Sequence, residues 1–247
     1  MFAARLAFQS PQGAPPITNP TIGMTAISTA QTNTSVVKFG TASYIATNGS
    51  SYLHNTSGDY SWWCSGTGPF TYQWWQYIPS GTNTSQHICS NEMTTSGGFG
   101  LRFGTGYNSG TINAINIFAR GQADLDYWTN TWTRDVWQFV SVCRNGTTMY
   151  VHVDGVSLGA ATGGSGAGTR NFEATSGLNK IQIGNADGDG LNGIYIDDFQ
   201  VLANTALYTS ASYSVPTSQA ILQTGTTALF NMNGTGGGTS FPNVTSN

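Results

Sequence analysis

Charge is what this 247-residue sequence has least of. Only 8% of its residues are Asp, Glu, Lys or Arg, against about 25% in an ordinary soluble domain. The eight Lys and Arg residues lie scattered at positions 5, 38, 102, 120, 134, 144, 170 and 180, and the net charge is −3. No basic stripe exists to neutralise a run of phosphates, which argues against a nucleic-acid partner. Long hydrophobic runs are missing too. No stretch approaches the ~18 apolar residues a spanning helix needs, so no membrane crossing is expected. The N-terminus carries one Arg and a short, broken apolar patch, so no cleaved secretory signal is read. Cysteine is sparse: Cys64, Cys89 and Cys143. An odd, low count argues against a disulfide framework and predicts free, mostly buried thiols, with a single bridge as the alternative.

Glutamate is nearly absent, with only Glu92 and Glu173. Retaining glycoside hydrolases on β-sandwiches need two carboxylates about 5–5.5 Å apart. On a strand that spacing calls for acidic residues two apart on one face. Neither glutamate has such a partner. Asp124 and Asp126 are two apart, and paired aspartates in a loop are the plainer reading. Asp197 and Asp198 are adjacent and point to opposite faces. His54, His87 and His152 are isolated, without metal-ligand spacing. His152 reads as a surface residue. No G-x-S-x-G elbow occurs, and the Gly-rich stretches at 163–168 and 234–238 do not join a strand to a helix. No enzyme is predicted.

What the chain does contain is aromatic and β-forming. Hydrophobic residues make up 38% and aromatics 12%, enough for a core. From about Val36 onward, short runs rich in aromatic and β-branched residues recur between Gly, Asn and Ser, with no helical period of useful length. Phe70–Ile78 is the strongest aromatic strand. Trp74 and Trp75 within it should face opposite ways. In Trp137–Gly159, Asn145-Gly146 and Asp154-Gly155 predict two tight turns and a three-stranded meander. About a dozen strands predict an all-β, two-sheet antiparallel β-sandwich of the jelly-roll type. Four of the eight prolines fall within the first twenty residues. Residues 1–35 therefore read as an extended N-terminal arm, with Phe8, Pro15, Pro16 and Ile17 as docking residues, or as a disordered tail.

Two weaker ligand signals remain. Asn185-Ala186-Asp187-Gly188-Asp189 spaces oxygen ligands as at the start of a calcium loop, without an EF-hand's closing glutamate. Asp187 and Asp189 could hold calcium, or form a plain Asp-Gly turn. No other cofactor is expected. Among the seven tryptophans, Trp62, Trp63, Trp128 and Trp132 fall outside the strongest strands. They are the candidates for stacking on a sugar ring, with core packing as the alternative.

Several segments, in order, resemble laminin-G-like (concanavalin-A-like) jelly-roll domains, which are common in phage virion proteins. They are KFGTASYIATNGSSYL, GPFTYQWWQYI, WQFVSVCRNGTTMYVHVDGVSLGAA and KIQIGNADGDGLNGIYIDDFQVLANTALYTSASYSVPT. Together they cover roughly residues 36–219. The resemblance implies a domain over 36–247 and gives Asp197 and Asp198 a structural role in holding a loop or turn. The family's usual first strand is replaced here by the proline-rich arm. A similar piece lies at 226–247 instead, so the C-terminus is expected to supply a closing strand, to its own sandwich or to a neighbour. The resemblance further implies a non-enzymatic structural protein of a virion, in capsid decoration or in a tail or fibre. Its partners would be other virion proteins, copies of itself in a homo-oligomer, or a host surface glycan. A carbohydrate-binding module is the alternative, and a glycoside hydrolase stands behind it.

Overall fold

The computed structural model of the protein describes residues 23–55, 67–82, 86–91, 100–103, 113–118, 126–164, 166–169, 181–184 and 191–244. In chain order the strands are β1 (Met24–Ile27), β2 (Gln31–Asn33), β3 (Ser43–Ile45), β4 (Tyr52–Asn55), β5 (Phe70–Tyr77) and β6 (Gln86–Asn91). Then follow β7 (Gly100–Phe103), β8 (Ala114–Phe118), β9 (Asp126–Thr129), β10 (Trp137–Asn145), β11 (Thr148–Val153) and β12 (Val156–Ser157). The last are β13 (Gly163–Gly164), β14 (Ile181–Ile183), β15 (Tyr195–Ala203), β16 (Thr226–Phe230) and β17 (Ser240–Phe241). One sheet runs β13-β9-β8-β7-β6-β14-β4-β1-β17. The other runs β12-β11-β10-β5-β15-β3-β2, with β16 also paired to β15. The fold is the all-β antiparallel jelly-roll sandwich that the strand rhythm predicts.

Alternation along the central strands builds the core. In β5, Phe70, Tyr72 and Trp74 point between the sheets, and all three are fully buried. They meet Val140 and Val142 of β10 and Phe199 and Val201 of β15. The Trp74 and Phe199 rings stack at 6.3 Å. Trp75 points to the opposite face, as adjacency on a strand requires.

The meander forms with one shift. Asp154 (φ 51°) and Gly155 (φ 77°) make the β11–β12 turn, both in the left-handed region, which suits a type I′ hairpin. A Cβ at Gly155 would strike the Tyr213 carbonyl, so two constraints select glycine there. In the β10–β11 hairpin Asn145 pairs with Thr148. The turn residues are therefore Gly146 and Thr147, one position beyond the Asn-Gly pair that the sequence suggests. Gly146, at φ 58°, supplies the left-handed first position.

Two boundaries differ from expectation. Residues 24–33 lie in the sheets, not in an arm: β1 pairs with β4 and β17, and β2 pairs with β3. Met24 and Ala30 are buried in the core, which anchors a segment whose own composition is neutral. The arm residues Phe8, Pro15, Pro16 and Ile17 lie outside the described residues. The C-terminal segment pairs within its own chain, β16 to β15 and β17 to β1. Cys89 and Cys143 are buried and form no disulfide, and Cys64 lies outside the described residues.

Asp197 and Asp198 tie loops to this frame. The Asp197 carboxylate accepts from the backbone N–H groups of Lys38 (3.2 Å), Phe39 (3.1 Å) and Asp198 (2.9 Å). Asp198 accepts from the Ala220 N–H at 2.7 Å and from Asn231 Nδ2 at 2.6 Å. Burial raises both carboxyls, that of Asp197 to about 8. In the unfolded chain an aspartate releases its proton near ~3.9. Between these limits the folded state holds a proton that the unfolded state has lost, so stability falls as pH rises through the window. Urea unfolding from pH 4 to pH 8 should show this decline, and Asp197→Asn should flatten it. An unchanged slope in that variant would show that Asp197 is not the group responsible.

Candidate functional site

The outward face of the β5 sheet is mostly covered. Residues 204–225, outside the named strands, cross it through hydrogen bonds that satisfy an otherwise buried polar surface. Thr71 Oγ1 donates to the Thr205 carbonyl (2.9 Å) and accepts from the Leu207 N–H (3.0 Å). Gln200 Nε2 donates to the Ile221 carbonyl at 3.1 Å. Tyr208 and Tyr213 stack at 3.9 Å, and both rings lie edge-on to Phe139. The Tyr213 hydroxyl bonds Ser141 Oγ at 2.8 Å, and burial pushes the Tyr208 hydroxyl up to about 12. His152 lies under this cover and not at the surface. Its Nε2 is 2.8 Å from the Ser210 carbonyl, and it is fully buried. The crossing segment, invisible to strand alternation, overturns the surface reading.

Toward the other end of the sheet, Asp197 holds the Lys38–Phe39 turn over Trp75. The Lys38 ammonium sits 3.8 Å from the Trp75 ring centre and the Phe39 ring lies 5.9 Å away, edge-on. Trp75 faces outward but is only 4% exposed.

The cover stops one row short of the sheet's end. Trp137 opposes Tyr77, and Tyr77 opposes Tyr195, so β10, β5 and β15 each present an aromatic ring at the same level. The ring centres are 5.8 Å apart in both pairs. All three residues are half-buried. Val136, next to Trp137 in the chain, is 44% exposed.

A polar rim borders the row. Asp135 accepts from the Ser80 N–H at 2.9 Å and from the Ser80 hydroxyl, and its own N–H donates to the Ile78 carbonyl at 3.0 Å. Arg134 Nη1 donates to the Thr82 carbonyl at 2.8 Å. These bonds fasten the 79–82 turn to the start of β10. Asp135 adopts φ 59°, the left-handed region that side chains other than glycine rarely occupy and that clusters at functional sites. The Ser80 hydroxyl and N–H hold the Asp135 carboxyl below its ordinary range. Burial, then the Asp135 carboxylate, raise the Tyr77 hydroxyl.

The aspartates in the described segments are Asp126, Asp135, Asp154, Asp197 and Asp198. Each accepts from a backbone N–H. Asp126 holds the Gly166 and Ala167 N–H groups, and Asp154 holds that of Phe139 at 2.8 Å. Among the described residues no group of three or more His, Cys, Asp or Glu could hold a metal ion. Asp187 and Asp189, the calcium candidates, lie outside the described residues, as do Trp62 and Trp63.

Trp128 and Trp132 are placed in the core, 1% and 5% exposed, and the Trp128 indole N–H donates to the Gly159 carbonyl at 3.2 Å. Neither presents a ring face to a ligand, which corrects the sequence reading of these two. Their short flanking strands look loop-like, but β9 pairs with β8 and turns Trp128 inward beside Ile115. Sequence reasoning missed Tyr77, Trp137 and Tyr195. The available signal was that Tyr77 shares a face with Trp75, and Trp137 with Phe139.

Fold and site define an antiparallel β-sandwich with an uncovered aromatic row at one end. No family model and no curated protein matches the chain. Among solved structures it is similar to a candidate carbohydrate-binding protein from Bacteroides ovatus (TM-score 0.49, 14% identity, 85% of this chain and 51% of that one). It is also similar to the cellulose induced protein Cip1 (0.46, 16%, 79% and 93%) and to Trypanosoma rangeli sialidase (0.47, 11%, 76% and 31%). The chain thus spans about half the length of the Bacteroides protein and a third of the sialidase.

Proposed function

We propose that this protein is a non-enzymatic recognition module that binds glycans on the Trp137–Tyr77–Tyr195 row. The observation that carries the reading is the placement of three half-open aromatic rings in register on neighbouring strands, where most of the face is covered. The C–H face of a sugar ring packs on such rings, and its hydroxyls find partners at a polar rim. Asp135, Ser80 and Arg134 offer that rim. The backbone duties of the described aspartates support binding without hydrolysis. The low charge and the laminin-G-like resemblance support a place on a virus particle, where such a module would serve adhesion to a host surface. Mass spectrometry of gradient-banded virions checks that location, and absence of the chain from the particles would sink it.

The binding test is a glycan array read with the wild-type protein and with Tyr77→Ala and Trp137→Ala. A stacked anchor is worth about 2 kcal/mol or more on truncation, so each variant should weaken binding at least about tenfold. Thermal melting should show both still folded. Wild-type signal retained by both variants would remove the row from the account. The directions at Asp135 and Tyr77 add a pH prediction. One carboxyl is held below its usual range and one phenol above its own. Affinity should therefore stay level from about pH 5 to pH 7, below the range in which Asp197 releases its proton, and a titration between those limits would contradict the assignment.

A further inference from the structure

A second feature lies at the same end of the sandwich, on the other sheet. An open groove of about 480 Å³ is lined by Asn113, Thr129, Asn130 and Thr131. Its floor is set where β8 and β9 close: Ala114 pairs with Thr129, and the Asn130 N–H donates to the Asn113 carbonyl at 2.9 Å. The lining holds amides and hydroxyls and no charge. Thr129 Oγ1 is already 3.2 Å from Thr162 Oγ1. The Asn130 side-chain amide nitrogen is buried and has no hydrogen-bond partner among the described residues. A buried donor without an acceptor is costly, so turning the Asn130 amide toward the groove, where a bound oxygen could accept from it, would be favoured.

The groove and the aromatic row are joined by the chain itself. Residues 130–136 lead from the end of β9 to the start of β10, passing over the end of the sandwich. From Thr131 to Trp137 the backbone can span at most about 21 Å. Between the two lie Thr133, whose N–H donates to Gln138 Oε1 at 3.0 Å, and the rim residues Arg134, Asp135 and exposed Val136. Trp132 fills the core beneath. The connection is therefore anchored, and it holds the two features at a fixed separation.

We infer that the groove is a second subsite of the glycan site, so that the ligand is a neutral chain of several sugar units that crosses this rim. The inference rests on the glycan-binding reading of the aromatic row. Ring faces would stack on Trp137, Tyr77 and Tyr195 at one end. At the other end, hydroxyl and ring oxygens would accept from Asn130 and exchange hydrogen bonds with Thr131 and Asn113. An uncharged groove favours neutral sugars over sulfated or uronic ones, since an anion would be desolvated there without a counter-charge. Short sugars could occupy the row alone, and chains long enough to reach the groove would gain by linking two contacts in one molecule.

The experiment is an array of neutral oligosaccharides, each type graded from one to about eight units. It is probed with the wild type and with Tyr77→Ala, Asn130→Ala and Thr131→Val, all checked by thermal melting. Thr131 is exposed, so its variant keeps the test open if Asn130→Ala fails to fold. The wild-type signal should climb at least tenfold with length and then level off. Asn130→Ala and Thr131→Val should lower the long chains toward the short-chain signal and leave the short chains unchanged. Tyr77→Ala should remove binding at every length. A length-independent signal, or long-chain binding untouched by the groove variants while Tyr77→Ala still abolishes it, would overturn the second subsite and leave the row standing. Absence of binding to any glycan by the wild type would overturn both.

Discussion

Replacing Trp128 by alanine is expected to lower the unfolding free energy by about 3–5 kcal/mol, the range for deleting a buried aromatic side chain. Trp128 is 1% exposed and sits with Ile115 and Ile117 in the core. Its indole N–H donates to Gly159, so the variant also leaves that carbonyl without its donor. For a domain of this size each kcal/mol moves the melting temperature by roughly 2–4 °C. A drop of about 6–20 °C should follow. Differential scanning calorimetry checks it. The contrast with Trp137→Ala separates core from recognition: the half-buried ring should cost far less stability and much more binding. If Trp128→Ala melted like the wild type and lost glycan binding instead, the inward placement of β9 would be wrong.

Removing residues 226–247 is expected to prevent folding altogether. The deletion takes β16 from β15 and β17 from β1, so both sheets lose a strand at once. It also removes Leu229, Phe230, Met232 and Phe241, all buried. At roughly 1.5–3 kcal/mol per large apolar side chain, these four contribute on the order of 6–12 kcal/mol. That matches the whole net stability of a typical domain, about 5–15 kcal/mol. Circular dichroism and limited proteolysis of the truncated chain should report an unfolded or aggregated product. Adding a peptide of residues 226–247 in trans should restore some native signal, because the strand's partners are otherwise intact. A truncated chain that melts cooperatively near the wild-type temperature would mean that this segment is not integral to the sandwich.

Much of the frame is legible from local chemistry. Asp154-Gly155 sets a turn because both positions need positive φ, and the β5 alternation sends Trp74 and Trp75 apart because strand side chains have a period of two. Where local chemistry was neutral, partners decided. Met24–Ile27 carries a weak strand pattern after a proline-rich stretch, and it becomes β1 because β4 and β17 lie on either side of it. The turn of the β10–β11 hairpin moves one residue from Asn-Gly because the pairing of β10 with β5 fixes its register. His152 lies on the outward face, as alternation requires, and is buried there because residues 204–225 cross over it. No periodicity announces a crossing segment, since its order comes from the surface beneath it.

The sequence by itself determined the all-β class, the positions of the main strands, that Trp74 and Trp75 take opposite faces of β5, and a chain poor in charge. These rest on contacts within a few residues, on backbone preferences and on composition, all of which travel with the chain. Only the tertiary structure decided which aromatics stay half-open to solvent. Trp128, Trp132, Trp137 and Tyr77 look alike as residues. Two are inside because β8 and the closing 130–136 segment turn them inward, and two are half-open because the covering segment and the Lys38–Phe39 turn end one row before them. Exposure is a property of what lies on top, and the covering segment that ends short of Tyr77 begins 127 positions further along the chain, at Asn204.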